Sequence, residues 1–488
     1  MLFNSLQFLI FYPIITVLYF LLPFKVRWIL LLAGSFYFYM AWKPEYIILI
    51  LITTFVAYST AIKMGQTDDK NKRKVYLCIS LIVNLGILIV FKYANFLNDS
   101  FRTLFTWFNI PYNVPGFNLI LPIGISFYTF QTLSYSIDVY KGNIKPEKNY
   151  GMLALYVTFF PQLVAGPIER ADRLLPQFYE EKKFDYDRVT NGLKIMAWGF
   201  FKKVVVADRL GVAVSTIYNN PTKHNSIQFI LATIFFAFQI YCDFSGYSDI
   251  AIGSAKVMGF RLMENFRRPY FSKSIGEFWR RWHISLSTWF KDYLYIPLGG
   301  NRVGKLRHYF NLFVTFLVSG LWHGANWTFV LWGALHGIYS IFGRMLAPLR
   351  IRLVAVTRLD KFSFLHKALQ VALTFSMVSF GWIFFRANSI NDALYIVKHL
   401  FSDLGKVTDF TYLINSISAM GLTKFQFLVA IGGVALIETV HLLERKESIW
   451  DRLSRKPVLV RWTAYSLLLT VTFWLAFSEN KVFIYFQF

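Results

Sequence analysis

The chain has 488 residues, of which 56% are hydrophobic and 19% aromatic, with only 16% charged and a net charge of +24. Soluble domains carry about a quarter charged residues, so this composition excludes an ordinary soluble enzyme. The Lys and Arg excess falls in short loops between apolar runs, a pattern that sets membrane topology and meets anionic lipid headgroups rather than nucleic acid.

In chain order, the candidate spans are 2–23, 28–42, 46–63, 75–91, 118–137, 150–168, 227–242, 309–322, 324–341, 368–385, 425–441 and 462–478. Runs near twenty apolar residues suit a hydrocarbon core. The first run has no basic n-region and no small-residue cleavage site, so it reads as a retained span rather than a signal peptide. The run 118–137 contains Pro122 and Gly124, and broken or re-entrant helices are tolerated where they line a cavity or lie buried. The expectation is eleven or twelve crossings with no soluble domain longer than a loop, so residues 1–488 form a single integral-membrane domain. The basic loops 64–74 and 444–461 should be cytoplasmic, which puts both termini outside. Cys78 and Cys242 both lie in apolar runs and read as buried free thiols. Two isolated thiols make neither a disulfide framework nor a metal site.

Asp243 and Asp249 border the run 227–242 and suggest helix-end or backbone-capping roles. Further on, Phe278-Trp279-Arg280-Arg281-Trp282-His283-Ile284-Ser285-Leu286-Ser287 opens a basic, aromatic block. From Arg267 to Arg307 there are nine Lys or Arg against two acids, Glu277 and Asp292. A cytoplasmic interface layer explains that block by itself. The stretch from Tyr309 to Gly343 then has no Asp, Glu, Lys or Arg, and His323 sits in its middle within Gly320-Leu321-Trp322-His323-Gly324-Ala325. An ionisable group at membrane depth is a functional candidate by default; the plain alternative is a histidine hydrogen-bonded between packed helices. His283, beside two arginines, carries the same two readings.

These residues resemble the membrane-bound O-acyltransferase family, in particular its bacterial polysaccharide-acetylating branch. The similarity is carried by Arg280-Arg281-Trp282-His283-Ile284-Ser285-Leu286-Ser287 and by Gly320-Leu321-Trp322-His323-Gly324-Ala325. It extends to Tyr241-Cys242-Asp243-Phe244-Ser245-Gly246-Tyr247-Ser248-Asp249 and Glu264-Asn265-Phe266-Arg267-Arg268-Pro269-Tyr270. Gly124-Ile125-Ser126-Phe127-Tyr128-Thr129-Phe130, Gly166-Pro167-Ile168-Glu169-Arg170 and Phe384-Phe385-Arg386-Ala387 also fit. The resemblance implies an all-α polytopic membrane protein, its spans joined by re-entrant or interfacial helices around a central tunnel. It implies His323 as the catalytic histidine and His283 as the polar partner facing it.

Acyl transfer to a hydroxyl needs a base for the proton, and a neutral imidazole is suited to that. His283 would hold the thioester carbonyl, with Asn326 as a substitute. Gly320 and Gly324 would let a substrate chain or a neighbouring backbone come close. Nothing like a Gly-x-Ser-x-Gly elbow surrounds Ser285, Ser287 or Ser319. His336, thirteen residues beyond His323, would lie about 20 Å further along a straight helix and reads as a packing group.

The implied donor is acetyl-coenzyme A, with no permanently bound cofactor. Its phosphates would meet Arg280, Arg281, Lys291 and Arg302, since guanidinium forks suit phosphate oxygens. The tail Phe483-Ile484-Tyr485-Phe486 matches a Phe-x-Tyr-Phe ending found in the resembled superfamily or its small partners, whose tyrosine carries the acyl group; the alternative is an interfacial aromatic anchor. The resulting expectation is a bacterial inner-membrane enzyme moving acetyl groups outward to an exported polysaccharide, helped by an extracytoplasmic esterase-like transferase. D-alanyl transfer to teichoic acid is the near alternative. A polysaccharide-precursor flippase is the rival of another class, although no internal repeat supports it.

Overall fold

The computed structural model describes residues 1–164, 166–444, 447–477 and 483–484, and among these every regular element is a helix. The chain forms two compact units. One comprises Met1–Met196 and Ser248–Met263; the other comprises Ala197–Tyr247 and Glu264–Phe488.

Five described helices are long and apolar enough to cross a membrane: Pro44–Gly65, Lys70–Trp107, Ser226–Met258, Ser363–Arg386 and Lys424–Leu443. Taken as one span, the bent pair Trp327–Met345 and Ala347–Val356 brings the number to six, while Leu6–Leu21 and Val458–Trp474 are apolar but shorter. The protein is thus an all-α, multi-pass membrane protein. The expected eleven or twelve crossings exceed the long single helices because several apolar runs are built from short pieces. The run 118–137 becomes helical only at Ile125, after Gly124 takes φ 76°, the left-handed backbone that glycine accepts most easily. The run 150–168 breaks at Phe159, between Tyr150–Thr158 and Phe160–Leu163.

In the first unit, the helix Ile125–Lys141 is buried although it is rich in hydroxyls. Thr132 and Ser136 find partners across the packing seam. Thr132 donates to Asn84 Oδ1 at 2.6 Å, and the Ser80 and Ser136 hydroxyls meet at 2.7 Å. Cross-helix hydrogen bonds of this kind hold membrane helices together where hydrophobic burial supplies little preference. Cys242 is buried as expected. Cys78 is exposed, on a helix surface shared with exposed Val75, Ile79 and Ile82; its apolar surroundings are those of a lipid-facing helix, not of a core.

In the second unit, the run 227–242 does not end at Asp243. The helix continues to Met258, so Asp243 stands within it rather than at its end. The carboxylate is offset by a cation from another helix: Asp243 Oδ1 lies 2.7 Å from Lys203 Nζ. Close approach is built in nearby, since a Cβ at Gly246 would lie 2.8 Å from the Gly199 carbonyl oxygen.

Candidate active site

His323 is the last residue of the helix Lys305–His323. The helix stops because Gly324 is extended, and because Asn326 caps the next helix, its side chain accepting the Thr328 N–H at 3.0 Å. The helices Lys305–His323 and Trp327–Met345 therefore form a hairpin, and glycines let its arms close. A Cβ at Gly320 would lie 3.1 Å from Gly333 Cα and would strike the Phe329 carbonyl oxygen; one at Gly324 would strike the Phe329 ring. The close neighbours expected at these glycines are thus the hairpin's own second arm. His323 is left buried, at 3% exposure.

His283 lies between the short helices Ile275–Arg281 and Ile284–Phe290, with φ 41° and ψ 57°. Left-handed backbone is unfavourable for a residue with a Cβ, so the surroundings must impose it. Here the segment around Asn265 does so. The Ile284 N–H donates to the Asn265 carbonyl at 3.0 Å, and the Arg267 N–H to the Arg281 carbonyl at 2.9 Å. Asn265 Oδ1 also accepts the Ser285 hydroxyl at 2.7 Å. The His283 ring is fully buried, and its Nδ1 caps the following helix by accepting the Leu286 N–H at 3.3 Å. An accepting Nδ1 assigns the proton of the neutral ring to Nε2. Burial pushes this imidazole down to about 3, so it stays neutral and its Nε2–H remains a donor.

Aromatic rings join the two histidines. His283 lies 4.6 Å from the Phe244 ring and 6.0 Å from Trp322. Trp322 in turn lies 5.0 Å from His323, which also meets Trp332 at 5.0 Å and Phe385 at 5.4 Å. Two imidazoles thus share one buried aromatic cluster, where an uncompensated charge is costly and a positioned donor or acceptor acts strongly. Such a pair can take a hydroxyl proton and steady a developing oxyanion.

Residues 149–387 match the family described as "MBOAT, membrane-bound O-acyltransferase family". A probable alginate O-acetylase AlgI of Pseudomonas putida is 42% identical over 407 residues, covering 82% of this chain and 80% of the relative. A peptidoglycan O-acetyltransferase of Helicobacter pylori is 34% identical, covering 95% of this chain and 92% of the relative. The chain belongs to the membrane-bound O-acyltransferase family. A teichoic acid D-alanyltransferase of Bacillus subtilis is 32% identical over a smaller part, 46% of this chain and 59% of the relative. These matches support the O-acyltransferase expectation.

The remaining predicted residues of this acyltransferase fall differently. Arg280, Lys291 and Arg302 are exposed. Arg281 is half-buried and spends its charge locally, on Glu277 at 2.5 Å. Asn326 caps its helix through Oδ1, as His283 caps its own through Nδ1. Tyr485 lies outside the described residues. His336 is the position that sequence reasoning misplaced. The chain reverses at residues 324–326, so its ring returns to 5.0 Å from Trp332, the same indole that meets His323. It is fully buried and accepts the Trp279 Nε1–H on Nδ1 at 3.3 Å. The signal was present, because Gly-Ala-Asn is a helix stop followed by a cap residue.

Proposed function

We propose that this acyltransferase takes an acetyl group from acetyl-coenzyme A, bound from the cytoplasm, and passes it outward for O-acetylation of an exported polysaccharide. The observation that carries this reading is the pair of buried imidazoles on one aromatic cluster, His323 as base and His283 as donor. His323 accepts the proton of the attacking hydroxyl while the His283 Nε2–H faces the thioester carbonyl oxygen. The tetrahedral intermediate collapses with loss of the coenzyme A thiolate, which takes the proton from His323. Arg280, Arg281, Lys291 and Arg302 receive the donor's phosphates, Arg281 with the least charge to offer. Acetyl is favoured over D-alanyl because the relatives named as O-acetylases are similar over far more of the chain than the D-alanyltransferase.

The first acceptor in this proposal is Tyr485. The acyl tyrosine then meets an extracytoplasmic esterase-like transferase, which completes delivery to the sugar. Support comes from the neighbouring Phe483, whose ring lies 5.7 Å from Phe244, itself in contact with His283. Tyr485→Phe keeps the ring and removes only the nucleophilic oxygen. Mass spectrometry of the C-terminal peptide, with donor supplied and partner withheld, should show an acetyl adduct on Tyr485. An unmodified peptide together with a fully active Tyr485→Phe protein would return the tail to membrane anchoring.

A further inference from the structure

Lys202 and Lys203 are consecutive and both buried, in the wide π-helical turn Phe201–Ala207. π-Turns are frequent at functional sites. Lys203 Nζ lies 2.7 Å from Asp208 Oδ1 and 2.7 Å from Asp243 Oδ1. One buried ammonium therefore faces two buried carboxylates, and Asp208 also lies within electrostatic reach of Arg209. Buried ion groups are a poor means of gaining stability alone, because desolvation offsets their attraction. A carboxylate oxygen held by such a group is, however, well suited to accept a backbone N–H. Asp243 Oδ2 does this, accepting the N–H of Ile484 at 2.8 Å.

The same turn and the helix after it, Asp208–Tyr218, hold the chain upstream of that contact. The Phe477 N–H donates to the Val204 carbonyl at 2.9 Å, and Arg209 donates to the Leu475 carbonyl at 2.8 Å. The Phe483 ring is fully buried, 4.4 Å from Tyr247 and 5.7 Å from Phe244. Phe244 is the ring that packs on His283.

We propose that Asp243, held in place by Lys203 and Asp208, is a receptor site for the chain's own C-terminal segment, and that it seats that segment beside His283 for acyl transfer. Its ligand is a peptide backbone N–H flanked by an apolar ring. Asp243, Lys203 and Asp208 are positioning residues, and the inference deepens the carrier reading of Tyr485, on which its catalytic consequence rests.

The test uses the full chain carrying a spin label on a cysteine appended after Phe488, in a Cys78→Ser background. In Asp243→Asn, the amide oxygen turns to the Lys203 ammonium, which sets the amide NH₂ against the Ile484 N–H, donor to donor. Ile484→Pro removes the same N–H and leaves the ion group intact, so it keeps the test sound if Asp243→Asn folds poorly. Both variants should free the label. Both should lower kcat by about tenfold to hundredfold, the range for losing a hydrogen bond to a charged group, with the donor KM unchanged. A label that stays immobile in both variants overturns the proposal, and so does a freed label with unchanged transfer. Tyr485→Phe should leave the label immobile, so the carrier reading and the receptor site fail separately.

Discussion

Replacing His283 with asparagine separates the two jobs its ring performs. Nδ1 caps the helix Ile284–Phe290, and Nε2–H is the proposed donor toward the reaction. Asparagine tolerates left-handed backbone better than most residues and is a good N-cap, so His283→Asn should preserve the local fold. Its amide nitrogen ends about one bond short of the Nε2 position, so the donor is lost. Alanine removes both functions. It forfeits roughly 1 kcal/mol of capping and empties a fully buried ring site, where large-to-small changes cost ~2–5 kcal/mol. In lipid nanodiscs with radiolabelled acetyl-coenzyme A, His283→Asn should therefore unfold near the wild-type temperature. Its transfer should be slower by ~10²–10³-fold, as when an oxyanion donor is removed. His283→Ala should be equally slow and clearly less stable. Wild-type transfer by His283→Asn would refute the donor role, and an unfolding temperature as low as that of His283→Ala would refute the capping argument.

Acid should expose the same residue. The folded His283 lies at about 3 against an ordinary 6.5, so the unfolded chain binds the extra proton in between. Its contribution to stability is complete above about 6.5 and is lost as pH falls toward 3; thermal unfolding between pH 7 and pH 4 should fall more steeply for wild type than for His283→Asn. Arg280→Ala and Arg302→Ala should each raise the donor KM, and added salt should act in the same direction through screening. Arg281→Ala should change KM less, because Glu277 already engages that guanidinium. Variants that lose only expression would assign the basic block to topology alone.

Local chemistry explains which parts of the site are legible in the sequence. His323 stands out because a charge-free run surrounds it, and His283 because its motif is dense in arginine and tryptophan. The left-handed backbone at His283 is not readable, since Asn265 and Arg267 impose it from a separate segment. His336 is misplaced by measuring its distance from His323 along a straight helix, although the candidate spans 309–322 and 324–341 part between them and Asn326 marks the reversal. Asp243 is misread for a different reason. A carboxylate at the edge of an apolar run ordinarily marks a helix end, but Lys203 neutralises it across the fold, and no local pattern announces a partner forty residues away. The number of crossings suffers similarly, because hydropathy does not distinguish one long helix from the broken pieces 150–158 and 160–163.

The central claim is that His323 serves as the base for acyl transfer. It is tested most directly by the single-turnover rate of acetyl transfer from acetyl-coenzyme A in purified His323→Ala, compared with wild type at equal folded protein. His323→Ala should lose ~10²–10⁴-fold, the usual worth of a positioned general base, with the protein still folded and donor binding retained. Transfer at the wild-type rate would contradict it.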